Sequence, residues 1–468
     1  MKTFLDWSAY DTYGMGDAYA GIPASGGNYA KAVAVCMNNH QCQREGKGVM
    51  CPSFRITHDP AHSTGARVKA FKAALNGELG DNPFSHPDLA AAMDLCVSCK
   101  GCKKECPSAV DMTLIKTEYL AQRNAVQGIR LRTWLFGNLP LLLHNYRQPL
   151  DTLVQWRNRN PWLARLVERW LGIPAQRPVP SIASPAASTL RLTAETAAPA
   201  NGTPASRGKV ILFADTFSHY YTPEVTAAAC RVLQAGGYAV EILRPAAGDD
   251  EPARPLCCGR TFLSQGMVDA ARNEARRVMA ALAPALAAGT PVVGLEPSCL
   301  LALRDEFYSL SLGPAVGQLG KQVFLFEEFL MREGNKGLKL PLKPLPGSKA
   351  LLHGHCHQKA FGAMKAVRKV LGWIPEFEFE LIDASCCGMS GSFGLEAEHY
   401  AASQQMGELA LLPAVRQAPA DAPIIADGFS CRHQIRDGSG REALHVAVLL
   451  AQALDDSSAV GQAGAPAA

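Results

Sequence analysis

"SCCGMSGSFG" (residues 385–394) and "LCCGRTFLSQG" (residues 256–266) place two adjacent cysteines and a glycine in one chain twice. The landmarks around them repeat in the same order. "KVILFADTF" from Lys209 answers "KALLHGHCH" from Lys349, and "PVVGLEPSCLLALRDEF" from Pro291 answers "PIIADGFSCRHQIRD" from Pro423. Matching landmarks in a fixed order indicate internal duplication. Each copy opens on an apolar strand pattern. In the first, a helical pattern ending in Gly236-Gly237 leads to a second strand, "YAVEIL", and a long helical pattern over 267–288 leads to the strand "PVVGLE". Strands alternating with helices predict a parallel sheet covered by helices. Ligands of such sheets sit at the carboxyl ends of the strands. Cys299, Cys356 and Cys431 all follow strand patterns.

Two adjacent thiols on a tight turn can serve two metal atoms at once, and the glycine beside them lets backbone approach closely. The second copy offers Cys356, Cys386, Cys387 and Cys431 as metal ligands, enough for a CCG-bound iron–sulfur cluster. The first has Thr216 where the second has Cys356, which leaves Cys257, Cys258 and Cys299. It reads as a degenerate copy that keeps its turn for packing. His355, His357 and His433 flank cysteines of the second copy; each reads as a structural histidine, with a ligand or proton carrier as the alternative.

Upstream, "CVSCKGCKKECP" (Cys96–Pro107) has the C-x2-C-x2-C-x3-C-P spacing of bacterial ferredoxins. Three closely spaced thiolates wrap one face of a four-iron cluster, and the cysteine before proline reaches the other cluster of a pair. Lys100, Lys103 and Lys104 would offset part of the anionic charge. A structural zinc site is the competing reading, but zinc sites favour two separated CxxC pairs. "CMNNHQCQREGKGVMCP" (Cys36–Pro52) has Asn39 at the second-cysteine place. In two-cluster wiring, Cys51 joins Cys96, Cys99 and Cys102, while Cys106 joins Cys36 and Cys42. Three thiolates suit a 3Fe–4S cluster, or a 4Fe–4S cluster completed by a group such as His40; the other reading is that Cys36 and Cys42 bind nothing.

The division expected is an irregular arm at 1–30, a helical ferredoxin-like domain at 31–112 and a helical extension at 113–172. A Pro/Ala/Ser-rich flexible linker follows at 173–208, then the first CCG domain at 209–340, the second at 341–454 and a disordered tail at 455–468. The fold class is α+β overall: a helical ferredoxin-like domain followed by a duplicated α/β domain with parallel sheets. Pro140, Pro149 and Pro161 are expected to break the extension into short helices. It holds four of the six tryptophans (Trp134, Trp156, Trp162, Trp170) and nine Lys or Arg against three Asp or Glu. That composition suits a core-packed extension with a solvated basic face, a docking surface for another subunit, or contact with a membrane surface.

Of 468 residues, 48% are apolar and 19% charged, which describes a globular protein; the net charge of +4 is too weak to argue for nucleic acid. Fifteen clustered cysteines argue against a secreted disulfide framework. The opening residues carry no export-signal pattern, and the longest apolar run, "WLFGNLPLLL" at 134–143, is too short to span a membrane. A cytoplasmic location is expected, with peripheral contact through 113–172 bringing the chain to the inner face of the membrane.

These motifs together resemble the iron–sulfur part of FAD-linked 2-hydroxy-acid dehydrogenases. That group includes the iron–sulfur subunits of glycolate oxidase and of anaerobic glycerol-3-phosphate dehydrogenase, together with heterodisulfide reductase subunits. The resemblance is carried by "GVMCPSFRITHDPAHST", "DLCVSCKGCKKECPSAVDM", "EPSCLLALRDEF", "HGHCHQKA" and "SCCGMSGSFG", and extends over most of 31–450. It is strongest with the C-terminal half of fused enzymes that oxidise D-lactate or D-2-hydroxyglutarate. "HSTGARVK" departs from the Ser-x-Arg-Gly-Arg of relatives, keeping Arg67, and no Gly-rich FAD fingerprint opens this chain. The resemblance implies that a partner subunit holds FAD and takes hydride from the substrate. This chain would pass the electrons on to a quinone or another acceptor, and would be an oxidoreductase subunit inactive alone. The alternative is a heterodisulfide-reductase-like enzyme whose CCG cluster is itself catalytic. No catalytic residue is named by the sequence.

Overall fold

The computed structural model describes residues 1–13, 21–184 and 207–455. The N-terminal domain is helical: α1 (Asn28–Ala34), α2 (Pro52–Thr57), α3 (Thr64–Leu75), α4 (Pro87–Asp94), α5 (Gly101–Glu105) and α6 (Met112–Gln127). Side-chain caps start the longer ones: Ser63 accepts from the Ala66 N–H before α3, and Asp111 from the Leu114 N–H before α6. Leu114, Ile115 and Tyr119 of α6 face a core shared with Phe71 and Leu75 of α3. The described part of the N-terminal arm is docked: the Glu118 carboxylate accepts from the Phe4 and Leu5 amides and the Trp7 indole N–H.

The extension forms α7 (Leu131–Gly137), α8 (Leu139–Arg159) and α9 (Pro161–Leu171). Pro140 and Pro161 sit in first turns, where the missing N–H costs nothing. Pro149 lies inside α8 and bends it at Tyr146 (φ −131°, ψ 27°) without ending it. The reading of these helices as a core-packed extension is corrected at the aromatics. Trp134, Trp156, Trp162 and Trp170 are 43–76% exposed, because their positions fall on the outward face while Leu143, Leu163 and Ala164 face inward.

The expectation of a flexible linker over 173–208 is corrected in its first residues. Residues 173–184 are packed, with Arg177 fully buried, ion-paired with Asp437 (2.9 Å) and donating to the Gly394 carbonyl (2.9 Å). The rest of that stretch, 185–206, and the tail from 456 lie outside the described residues.

The first α/β half contains β1 (Lys209–Phe213), α10 (Thr216–Tyr220), α11 (Pro223–Ala235), β2 (Ala239–Ile242), α12 (Arg260–Ser264) and α13 (Val268–Ala287). It continues through β3 (Val292–Gly294), α14 (Pro297–Leu303), α15 (Val316–Gln322), β4 (Val323–Leu325) and α16 (Phe326–Gly334). The second contains β5 (Ala350–Leu352), α17 (Cys356–Ala360), α18 (Met364–Leu371), β6 (Phe379–Leu381), α19 (Tyr400–Glu408), α20 (Leu411–Gln417), β7 (Ile424–Ile425), α21 (Phe429–Ser439) and α22 (Val446–Ala453). Both sheets are parallel, in the orders β2-β1-β3-β4 and β6-β5-β7.

The registers align the halves residue by residue. Ile211 pairs Val292 as Leu351 pairs Ile424, and Leu212 pairs Val293 as Leu352 pairs Ile425. The parallel bridge Ile425–Leu444 stands where β3 pairs β4. The halves pack by exchanging equivalents: α11 lies on α22, and α18 on α16. Val225, Val232, Phe329, Val367, Val370 and Leu450 share the core between them. In each sheet the central strand has neighbours that follow it on both sides, the topology that opens a crevice at the strands' carboxyl ends.

Candidate metal centres

Fourteen of the fifteen cysteines fall into four groups; Cys230, buried in α11, is the exception. Cys36, Cys42 and Cys106 line one small cavity with Asn38, Asn39, His40 and Gly65. Cys51, Cys96, Cys99 and Cys102 line a second with Thr64, Arg67 and Met112. The grouping expected from the ferredoxin spacing is thus brought together in space, including the crossing of Cys51 and Cys106.

Backbone geometry explains how such short loops wrap a centre. Of the ten non-glycine residues at positive φ among the described residues, six (Asn38, His40, Cys51, Ser98, Lys100 and Ala109) lie in these loops, and Ser390 follows the second CCG. Such conformations are costly and concentrate where surroundings enforce them. Backbone N–H groups turn toward sulfur: the Thr64 amide donates to Cys51 Sγ (3.2 Å) and the Gly65 amide to Cys42 Sγ (3.3 Å), and Cys51 Sγ shares a further hydrogen bond with the Thr64 hydroxyl (3.1 Å). Arg67, 2% exposed, donates to Ala92 O (2.9 Å) and Ser53 Oγ (2.8 Å) and reaches Cys51 Sγ at 3.9 Å.

Burial pushes the Cys99 thiol well up and the Cys51 thiol up, Arg67 partly offsetting the latter. At Cys96 burial is outweighed by the positive charges of Arg67 and Lys116, which hold it below the usual range. Four buried sulfurs around one cavity, with N–H donors and a guanidinium aimed at them, fit an anionic iron–sulfur cluster, and metal binding would displace the thiol protons. Lys100 and Lys103 are committed elsewhere: buried Lys100 pairs with Asp305 and Glu306, and Lys103 with Asp111 and Asp305. Asp305 and Glu306 belong to the first half, so these pairs fasten the cluster loop to it.

In the halves, sequence-equivalent residues occupy equivalent helix starts. Thr216 is the first residue of α10 and Cys356 the first of α17; Cys299 and Cys431 are each the third residue of α14 and α21. Both CCG glycines have left-handed φ, +76° at Gly259 and +89° at Gly388. A Cβ on Gly388 would stand 2.1 Å from Ser403 O, and one on Gly259 2.9 Å from Ala271 O. The glycine N–H points back at sulfur in both, Gly259 to Cys257 and Gly388 to Cys386, each at 3.4 Å.

The thiols of the two groups are shifted differently. In the first half the Cys257 thiol is pushed well up, mainly by its neighbour Cys258 and then by burial, and Cys258 chiefly by burial. In the second, Cys387 is held well below the usual range by hydrogen bonds from Cys386 and Cys431. Its neighbours Cys386 and Cys431 are pushed the other way, up, by the same hydrogen bonds and by burial. One donor atom each of His353, Cys387 and Cys431 lies within 4.8 Å of the others.

His353 escapes sequence reasoning, although its place at the end of β5, three residues before Cys356, is a usable signal. The histidines singled out in the sequence have structural partners. His355 caps α17 by accepting from the His357 amide (3.1 Å), His357 donates to Ser98 O (3.2 Å), and His433 donates to Pro178 O (3.1 Å).

The second half sits directly on the ferredoxin-like loop. Cys99, Val97, Cys386 and Phe393 share one buried cluster with Cys356 at its edge, and the Ser390 hydroxyl donates to Val97 O. A cavity of about 800 Å³ opens beside them, with Cys96, Cys356, Cys386 and Cys387 in its wall. Arg130, Arg132, Arg260 and Glu296 also line it. So do Phe217, Tyr221 and Phe429, three rings from both halves whose centroids lie 5.0–6.2 Å apart. Glu296 accepts from the Phe429 amide (2.7 Å); burial, with Asp215 nearby, pushes its carboxyl up to about 7.

Fold and site define an iron–sulfur protein: a helical dicluster module joined to a duplicated α/β body that carries further thiol sites. Residues 32–110 match the 4Fe-4S dicluster domain. The chain is similar to a subunit of the anaerobic glycerol-3-phosphate dehydrogenase of Escherichia coli (strain K12), 30% identical over 249 residues, covering 53% of this chain and 60% of that protein. It is also similar to D-2-hydroxyglutarate dehydrogenase of Escherichia coli (strain K12), 24% identical over 452 residues, and to that of Pantoea ananatis (strain AJ13355), 22% identical over 468 residues. In both of the latter the match covers 88% of this chain and 42% of the relative. The chain thus spans less than two thirds of the length of these relatives. No solved structure matches.

Proposed function

We propose that this chain is the iron–sulfur electron carrier of a flavin-dependent dehydrogenase. The observation that supports it most is the continuity of the thiol sites. Thr64 lines both the Cys36/Cys42/Cys106 cavity and the Cys51/Cys96/Cys99/Cys102 cavity, and Cys99 shares a buried cluster with Cys386, against which Cys356 packs. The Cys36/Cys42/Cys106, Cys51/Cys96/Cys99/Cys102 and Cys356/Cys386/Cys387/Cys431 groups therefore form a relay inside one molecule. The second group would hold a 4Fe–4S cluster. The first, with three sulfurs, would hold a 3Fe–4S cluster, or a 4Fe–4S cluster with His40 as fourth ligand. Iron–sulfur centres supply one-electron transfer, and the protein sets their potential through charge, hydrogen bonds to sulfur and exposure.

The partner is a subunit that binds FAD and oxidises a small hydroxylated anion, a 2-hydroxy acid or glycerol 3-phosphate. Its flavin takes the hydride and returns two electrons, one at a time, to this chain. The acceptor is a quinone. The cavity beside Cys356 and Cys386 suits it, with flat rings from both halves for stacking and Glu296, near neutral in its titration, to hand on a proton. The exposed tryptophans of α8 and α9, interspersed with Arg159, Arg165 and Arg169, suit contact with a membrane surface that holds such an acceptor. Among the described residues no helix is long and apolar enough to cross a membrane.

A second reading draws on the same cavity: the CCG group, open to it, reduces disulfides directly, as in heterodisulfide reductases. One experiment separates the two. The anaerobically reconstituted chain is mixed with D-2-hydroxyglutarate or glycerol 3-phosphate, with and without the flavoprotein, and separately with thiol–disulfide pairs. Bleaching of the cluster absorbance by the hydroxylated substrate only when flavoprotein is present is expected. Bleaching by that substrate with the chain alone contradicts the carrier role, and a spectral response to the disulfide pairs favours the second reading.

A further inference from the structure

We propose that His353 is an iron ligand of the centre in the second half, its imidazole joining Cys387 and Cys431; this rests on the reading that the second CCG group holds a metal. His353 is 1% exposed, and neither ring nitrogen hydrogen-bonds to a nitrogen or oxygen atom. Its hydrogen-bonding neighbour is the Cys387 sulfur, a weak partner for a buried imidazole whose polar atoms have lost water. The donors within 4.8 Å of it are two sulfurs, those of Cys387 in the CCG turn and of Cys431.

The duplicated half supplies an independent control. By strand register the equivalent of His353 is Phe213, which ends β1 one residue past Leu212 as His353 follows Leu352 at the end of β5. Phe213 is 1% exposed. A carbon ring fills that position, so packing does not require a histidine. The half with Phe213 also has Thr216 in place of Cys356. Two donors are therefore missing together in one half and present together in the other, as expected if both serve the same metal. Imidazole and thiolate are both ligands that iron accepts. A histidine in place of a cysteine raises the potential of an iron–sulfur centre, as the Rieske type shows. A centre of this kind beside Cys99 would draw electrons from the ferredoxin-like module toward the second half.

The test uses the full chain, reconstituted anaerobically with iron and sulfide and carrying ¹⁵N-labelled histidine, in a His40→Ala background so that His40 adds no signal. Iron content and pulsed EPR are read in oxidised and dithionite-reduced samples, alongside Cys387→Ala and His353→Leu. The expected result is a nitrogen coupling of a directly bonded imidazole before either substitution, and its loss in His353→Leu. No such coupling in the unsubstituted sample, while Cys387→Ala still lowers the iron content, overturns the histidine ligand and leaves the metal reading standing. Because this comparison needs no His353 variant, it holds even if His353→Leu fails to fold. Iron content and spectra unchanged by Cys387→Ala overturn the metal reading itself, and the proposal with it.

Discussion

Gly388 and Glu296 are the residues whose roles translate most directly into numbers. At Gly388 the left-handed φ and the Ser403 carbonyl both exclude a side chain, so Gly388→Ala should destabilise the chain by about 2–4 kcal/mol. Gly259→Ala meets its carbonyl at the longer 2.9 Å and should cost less, about 1–2 kcal/mol. Urea unfolding midpoints of the metal-free variants measure both; equal midpoints would show that the turn tolerates a side chain. Glu296 has its folded carboxyl raised to about 7, so its favourable contribution is complete below the ordinary carboxyl range near 4.5 and is lost as pH rises through about 7. Glu296→Gln should remove that dependence. Relative to the unsubstituted protein it should gain on the order of 2 kcal/mol between pH 5 and pH 8, read from thermal midpoints. A difference that does not change with pH contradicts the buried, proton-holding carboxyl.

At the scale of elements, the second half is clamped to α4 by His399. Its Nε2–H donates to Asp94 and its Nδ1–H to Glu396, both at 2.9 Å, with the ring stacked on Phe393. Burial opposes the charge, but the two carboxylates raise the imidazole to about 9. Its folded pKa lies above the unfolded value, so the clamp is fully present below pH 6.5 and is lost as pH rises through about 9. His399→Gln should cost about 1–2 kcal/mol at pH 6 and nearly nothing at pH 10, Asp94 being half exposed and screened. A cost that persists at pH 10 would point to ring packing on Phe393 instead. On the outer helices, replacing Trp156, Trp162 and Trp170 with serine should abolish sedimentation with anionic vesicles and leave the fold's circular dichroism intact. Unchanged sedimentation removes the membrane from the account.

These elements also show what a sequence conveys. The strands, the long α13 and the ferredoxin loop were legible because each signal is local: a period, a cap, a fixed cysteine spacing. Pairing the Cys51 and Cys106 loops with the right partners was legible for the same reason. His353 was not, since its meaning comes from Cys387 and Cys431, which are distant in sequence. Nor was the contact of Ser390 with Val97, which joins segments 293 positions apart. Only the packing of the chain shows that Trp156, Trp162 and Trp170 of α8 and α9 look outward.

Across the whole molecule, duplication and exchange of equivalent helices build a body whose halves share one core and together line the large cavity. The first half has Thr216 and Phe213 where the second has Cys356 and His353, and the ion pairs of Lys100 and Lys103 with Asp305 fasten the dicluster module to that half. The thiol group of the second half packs against Cys99. Replacing Cys356 with alanine should therefore slow oxidation of the reduced dicluster by a soluble quinone at least tenfold while leaving its reduction by dithionite unchanged, as stopped-flow absorbance would show. The central claim is that iron–sulfur centres occupy these thiol groups. The direct measurement is iron and acid-labile sulfide per chain after anaerobic purification, with EPR of the dithionite-reduced protein. The account predicts sulfide-bearing iron centres in both cavities of the dicluster module, with a further iron fraction lost in Cys387→Ala. Iron and sulfide absent after reconstitution, with no EPR signal on reduction, would contradict it.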